Sequence, residues 1–219
     1  MTTSESIYGD QTEHLRQVKD LMIARINEYN NDIQDKTGHS VFEHLNSRIK
    51  TEASMREKCI RKGVEETPYQ ALRTMKDAIG IRIITRFIED IFQIRDFLND
   101  LEDCQIIQEK DYIRQAKSNG YRSYHMILET RQPIVDIEGN NPGLFYLEIQ
   151  LRTIAMDCWA SLEHEMKYKK SITNQKILDQ ELKRCADELA SCDITMQTIR
   201  DMIRADEQEP EEKADKTEI

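Results

Sequence analysis

No apolar run in this 219-residue chain approaches the roughly 18 residues that a membrane-spanning helix needs, so a helical membrane protein is excluded. Cysteine is sparse: the chain has five, an odd number, scattered without C-x-x-C spacing. That usage argues against both a disulfide framework and a zinc site. The opening Met1-Thr2-Thr3-Ser4-Glu5-Ser6 lacks the basic and apolar regions of a signal peptide, so the expected location is the cytoplasm. Aromatic residues are also few, at 6% against 33% charged, a balance that would suit disorder if the apolar positions were not periodic over most of the length. They are periodic, and a chain of this size can bury a core without metal or disulfide support.

The net charge of −10 weighs against a DNA-binding surface and against a large RNA substrate. Its distribution says more than its total. Residues 206–219 are strongly acidic, contain Pro210 and show no apolar period, which reads as a disordered tail. Residues 48–62 instead hold Arg48, Lys50, Arg56, Lys58, Arg61 and Lys62 against only Glu52 and Glu57.

Spacings of three and four among Leu15, Val18, Met22, Ile26, Tyr29 and Ile33 predict an amphipathic helix over residues 11–33. After a loop at Gly38, a second helical stretch is expected through Val41, Phe42 and Leu45. A short helix over 54–61 should stop at Gly63, and Thr67-Pro68 marks a turn. The β-branched run 80–87 reads as a buried strand, followed by a helix through Ile91, Ile94, Phe97, Leu98 and Leu101. Further strands are expected at 105–108, 124–130 and 144–152, and Thr153 is placed to cap a helix that runs to about Tyr168. The fold class is therefore α+β, a mixed sheet flanked by helices. The expected domains are a helical region at 1–39, a central domain at 40–170, a terminal helix at 171–205 and the tail. In that helix Leu178, Leu182, Cys185, Leu189, Cys192, Met196, Ile199 and Ile203 form a heptad seam, which suits either packing on the domain or a partner helix.

Three elements carry chemistry. The first is Arg48-x-Lys50-x-x-x-Ser54-x-x-x-Lys58, whose three cations and one hydroxyl suit a polyphosphate. Ser54 and Lys58 share a helix face, and Arg48 and Lys50 point together if their segment is extended. The second is Asp77-x-x-Gly80-x-Arg82 at the mouth of a strand, with a carboxylate able to hold Mg²⁺. The third pairs the loop Lys117-Ser118-Asn119-Gly120-Tyr121-Arg122-Ser123-Tyr124-His125 with Glu148-x-Gln150-x-Arg152-Thr153. Here Tyr121 offers a π-face to a base, and Lys117 and Arg122 offer charge to phosphates. Asn119, Ser123 and His125 add hydrogen bonds. The period of two in the last strand puts Tyr146, Glu148, Gln150 and Arg152 on one face. Mg²⁺ is usually held by one or two carboxylates plus substrate phosphates, and Asp77 and Glu148 supply two.

Together, in this order and with Trp159-Ala160-Ser161-Leu162-Glu163-His164 beyond, these motifs resemble the synthetase domain of RelA/SpoT homologues over residues 40–170. The length resembles a stand-alone small alarmone synthetase. The resemblance implies a Mg²⁺-dependent GTP pyrophosphokinase that moves the β,γ-pyrophosphate of ATP to the ribose 3′-OH of GDP or GTP. It implies that Arg48, Lys50, Ser54 and Lys58 hold the ATP phosphates and that Arg82 stacks on adenine. Asp77 and Glu148 would be catalytic and metal-ligating. Lys117, Asn119, Tyr121, Arg122, Ser123, His125 and Gln150 would surround GDP or GTP, with Tyr121 on guanine. No His-Asp pair of the alarmone-hydrolase type occurs, so synthesis alone is expected. A homotetramer is implied, and a cleft between subunits could bind alarmone or single-stranded RNA as an effector. Two alternatives are a different acceptor on the same fold, a tRNA 3′ end or an adenosine nucleotide, and an oligomeric nucleotide- or RNA-binding regulator.

Overall fold

The computed structural model describes residues 6–168 and 174–215. Five strands form one sheet: β1 (His44–Ile49), β2 (Ile79–Thr85), β3 (Cys104–Asp111), β4 (Tyr124–Gln132) and β5 (Gly143–Thr153). Their spatial order is β1-β2-β5-β4-β3. β2 and β5 pair in parallel, and every other neighbouring pair is antiparallel, so the sheet is mixed as expected.

Alternation decides which face is buried. Ile79, Ile81 and Ile83 of β2, Met126 and Leu128 of β4, and Leu147, Ile149 and Leu151 of β5 are each 1% exposed or less. They join a single core with Leu15, Val18, Met22 and Ile26 of α1 (Thr12–Thr37) and Ile91, Ile94 and Leu98 of α3 (Ile88–Asn99). Met55 and Cys59 attach α2 (Glu52–Lys62) to the same core. Gly63, in the left-handed conformation, ends α2 where the sequence places the stop. Thr153 caps α4 (Ile154–Tyr168) through its hydroxyl, which accepts the Met156 N–H at 3.1 Å.

The segment after α1 departs from expectation. Residues 41–45 are not helical, because Asn30 of α1 accepts the Val41 N–H at 2.8 Å and Glu43 donates to the Ile84 carbonyl, drawing the chain to the sheet edge as β1. Only Leu45 and Ile49 of β1 are partly buried, so an exposed edge strand leaves little period to read. A five-residue π-helical segment, Gln70–Thr74, follows the Thr67-Pro68 turn and has no sequence signal of its own.

The terminal helix α5 (Gln175–Asp215) packs on the domain through only part of its seam. Leu178, Leu182, Ala186 and Leu189 pack around Trp159, whose indole N–H donates to the Leu182 carbonyl at 2.8 Å. Farther along, contact passes to polar groups: Thr153 donates to Asp193 at 2.6 Å, and Arg200 bonds Asp90 at 2.6 Å. Cys185, Cys192, Met196, Ile199 and Ile203 of the heptad seam are exposed. A straight helix drifts by about 20° per heptad, which carries a 3.5-residue seam off any flat surface. α5 is helical through Asp215, so most of the stretch expected as a disordered tail is helix. Residues 216–219 of that tail lie outside the described residues.

The turn that starts β5 is built on Asp136, which is 2% exposed. It accepts backbone N–H groups from Glu138, Asn140 and Leu144 at 2.9, 3.0 and 2.9 Å, and pairs with Arg73 at 2.7 Å. Burial pushes this carboxyl up, but those backbone donors outweigh burial and hold it far below the usual carboxylate range. Asp136→Ala strands three backbone N–H groups and takes one anion from a buried guanidinium, leaving Arg73 only Glu138 at 3.0 Å and the Leu144 carbonyl at 2.6 Å. The expected cost is about 3–5 kcal/mol in denaturant unfolding, and a loss below about 1 kcal/mol would contradict this account of the turn.

Candidate active site

The face of the sheet opposite the core carries the polar side chains, and the strand register arranges them in rows. One row runs Asn46, Arg82, Gln150, His125 and Lys110 across β1, β2, β5, β4 and β3. The adjacent row runs Arg48, Gly80, Glu148, Ile127 and Gln108. The Arg48 stem leans over Gly80, where a Cβ would meet it at 3.9 Å, and Gly80 is the register partner of Glu148 on the next strand.

At the β1 edge, the Lys50 N–H donates to the Ala78 carbonyl and extends the ladder by one step, which brings Lys50 beside Asp77. Asp77 is 6% exposed, and its Oδ2 receives both Lys50 and Lys58, the latter at 2.6 Å. Its Oδ1 is buried with no hydrogen-bond partner. An orphaned carboxylate oxygen beside two lysines fits a metal ion that arrives with an anionic ligand. Among the described residues no cluster of three or more His, Cys, Asp or Glu could hold a metal, so a cation here would depend on ligand oxygens as well. Ser54 sits exposed in the first turn of α2, bonded to Thr51 at 2.9 Å, on the same helix face as Lys58.

At the other edge Tyr121 lies in an aromatic and cationic nest. Lys117 Nζ is 4.7 Å from both the Tyr112 and Tyr121 ring centroids, and the Tyr121 ring meets His125 and Trp159 edge-on. Asn119 accepts the Tyr121 N–H at 3.2 Å and donates to Glu163 at 3.1 Å, which ties the loop to α4. Gly120 is in the left-handed region, and a Cβ there would stand 2.5 Å from the Ala186 Cβ, so α5 closes directly onto the loop.

Burial and neighbouring charge set the state of His125, and the contact with Tyr121 is compatible with it. Arg152 can only donate, and does so to the Tyr121 hydroxyl at 2.7 Å; that hydroxyl keeps its own proton and lies 2.8 Å from His125 Nε2, to which it can donate when the imidazole is neutral. An accepting Nε2 requires neutral imidazole. Burial lowers the His125 pKa from 6.5 to about 4, helped by the charges of Arg152, Lys117, Lys110 and Arg82. Its Nδ1 faces Glu148 Oε1 at 3.9 Å, and Gln150 donates to Glu148 Oε2 at 3.3 Å.

Arg48, Lys50, Ser54, Lys58, Asp77 and Arg82 therefore gather on the β1–β2 side, and Lys117, Asn119, Tyr121 and His125 gather beyond β5. Glu148 and Gln150 lie between the two groups. Two expected members are engaged elsewhere. Ser123 is fully buried and donates to the Leu151 carbonyl at 3.2 Å, because it leads into β4 directly beside β5. Arg122 donates to the Ile113 carbonyl at 2.9 Å and faces Asp187 of α5 at 3.4 Å, which braces the loop from behind. Sequence reasoning missed Tyr112, which stacks edge-on against both Tyr121 and His125, and Asp157, which binds Arg152 at 2.9 Å. Neither sits in a distinctive motif.

An open sheet face that sets two carboxylates among lysines and arginines, with an aromatic platform at one side, has the charge and stacking surfaces that suit phosphorylated nucleosides. Residues 47–173 match the family described as the region found in RelA / SpoT proteins, and this chain belongs to that family. It is 43% identical over 150 residues to the GTP pyrophosphokinase YwaC of Bacillus subtilis, spanning 68% of this chain and 70% of that protein. To the GTP pyrophosphokinase YjbM of the same organism it is 33% identical over 197 residues, 90% of this chain and 87% of the relative. Among solved structures, small alarmone synthetase 1 from Bacillus subtilis bound to its product pppGpp superposes with a TM-score of 0.74 at 30% identity, covering 86% of this chain and 94% of that one. Small alarmone synthetase 2 from the same organism superposes at 0.71 with 36% identity, covering 88% and 99%.

The state of His125 is measurable. An unfolded chain takes up a proton near pH 6.5, whereas the folded site resists protonation until about pH 4. Stability linked to His125 is therefore complete above about pH 6.5 and declines as pH falls toward 4. An imidazole NMR titration should give a midpoint near pH 4, and His125→Gln should flatten the stability slope in that window. A midpoint at the ordinary value of 6.5 would contradict the accepting Nε2.

Proposed function

We propose that this chain is a (p)ppGpp synthetase: it transfers the β,γ-pyrophosphate of ATP to the ribose 3′-OH of GDP or GTP and releases AMP. The observation that carries this reading is the position of Glu148, midway along one sheet face between a lysine- and arginine-rich side and an aromatic side. The names of the relatives, GTP pyrophosphokinases, and a small alarmone synthetase structure bound to pppGpp point the same way. A second small alarmone synthetase 1 structure, bound to AMPCPP and superposing at a TM-score of 0.69, supports an adenine nucleotide as the donor.

In this reading Arg48, Lys50, Ser54 and Lys58 hold the ATP phosphates, and Arg82 stacks on adenine. Drawing Lys50 and Lys58 onto phosphate frees Asp77 from its two cations. Asp77 and Glu148 would hold Mg²⁺, which neutralises charge on the transferred group when bound. Tyr121 stacks on guanine, with Lys117, Asn119 and His125 around the acceptor. Gln150 occupies Glu148 Oε2, so Oε1 is the oxygen available to take the 3′-OH proton. The 3′-oxygen then attacks the β-phosphorus, the bond from that phosphorus to the α,β-bridging oxygen breaks, and the electron pair leaves with AMP. The exposed apolar residues of α5, Met196, Ile199, Met202 and Ile203, support self-association into a homotetramer.

Product analysis tests the reaction. With ATP and GDP the expected products are AMP and ppGpp, while tRNA or adenosine nucleotides as acceptors should give none. Glu148→Gln should lower kcat by about 10²–10⁴-fold with GDP still bound, as removal of a general base does. A wild-type rate in that variant would overturn the role of Glu148.

A further inference from the structure

Asp157 stands in the first turn of α4, immediately after β5. An acid there is favoured by the partial positive charge of the helix N-terminus, which would be reason enough for a solvated carboxylate. This one is instead shared between two arginines of neighbouring strands. Its Oδ1 is 2.9 Å from Arg152 Nη1 and 3.5 Å from Arg82 Nη1. Arg152 is 7% exposed at its side chain and therefore depends on its partners, and it continues through Nη2 to the Tyr121 hydroxyl at 2.7 Å. Its guanidinium also lies 5.3 Å from the Tyr121 ring centroid. Burial lowers the Arg82 pKa, the charge of Arg152 lowers it further, and Asp157 works in the opposite sense. The two cations are thus close enough to repel, with one anion between them.

We propose that Asp157 is a positioning residue that couples the two nucleotide subsites, holding Arg82 for the donor base and Arg152 against the tyrosine that carries the acceptor base. This rests on the donor and acceptor halves assigned above. When a donor base engages Arg82, the Asp157 carboxylate is left to Arg152 alone, and the Arg152–Tyr121 contact tightens. By linkage, an acceptor that fixes Tyr121 strengthens donor binding by the same factor. Without the carboxylate the guanidinium groups separate, and each subsite keeps its own residues but loses the other's help.

Calorimetric titration reads this directly and without turnover. A non-hydrolysable ATP analogue with a methylene bridge between the α- and β-phosphorus and GDP are each titrated into the full chain, alone and with the other present. Each nucleotide should raise the affinity of the other about five- to tenfold. Asp157→Asn should bring that factor close to one, and Asp157→Glu, which keeps the charge, should restore part of it. If Asp157→Asn does not fold by thermal melting, Arg152→Lys serves in its place, since it keeps a charge but loses the fork, and the factor should again approach one. Lowered stability with an unchanged coupling factor would reduce Asp157 to a helix-capping acid and overturn the proposal. Coupled binding of both nucleotides without pyrophosphate transfer would overturn the functional reading and leave this one standing.

Discussion

The parallel pairing of β2 with β5 is the constraint on which the rest of the molecule depends. It sets Gly80 opposite Glu148 and Arg82 opposite Gln150, and so joins what would otherwise be two unrelated polar edges. Because side chains alternate with a period of two, a slip of one residue would send Glu148 and Arg82 into the core and Ile149 and Ile81 into the site. The apolar side enforces the register: Ile79, Ile81, Ile83, Leu147, Ile149 and Leu151 are all buried, and burial of each such side chain is worth about 1.5–3 kcal/mol. The Asp136 turn at the start of β5 and the Thr153 cap at its end then fix the length of the strand that carries the site.

Charge on the open face is arranged to be rearranged. Asp77 is neutralised by two lysines that an incoming polyphosphate would claim, and one of its oxygens is left without a partner. His125 is kept neutral by burial and by surrounding cations, so it accepts a hydrogen bond without adding positive charge. Arg82, Asp157, Arg152, Tyr121 and His125 form a continuous chain of contacts across the face. The two sides of the site are therefore physically connected, and this chain of contacts is the path that the proposed coupling would use.

Much of this was legible in the sequence because it is local. Alternation in residues 144–152 gave the inward and outward faces of β5, Gly63 marked the end of α2, and Thr153 the start of α4. What was not legible depends on the neighbours a segment finds. β1 is an edge strand placed by Asn30 and Ile84, and its own residues carry almost no period. Arg122 and Ser123 lie in the same run as Tyr121 but serve the loop's attachments, which only tertiary contacts decide. Asp157 reads as a first-turn helix acid until Arg82 and Arg152 are seen on either side of it. The heptad seam of α5 was real as a pattern, but the domain takes up only Leu178, Leu182 and Leu189 of it, beside Ala186, and leaves the others exposed.

The central claim is that one sheet face seats two nucleotides with Glu148 between them. A structure of the protein with an α,β-methylene ATP analogue and GDP tests it most directly. The account predicts adenine against Arg82, guanine against Tyr121, and the ribose 3′-OH within hydrogen-bond distance of Glu148, with Lys50 and Lys58 moved from Asp77 onto phosphate. Guanine seated away from Tyr121, or a 3′-OH out of reach of Glu148, would contradict it.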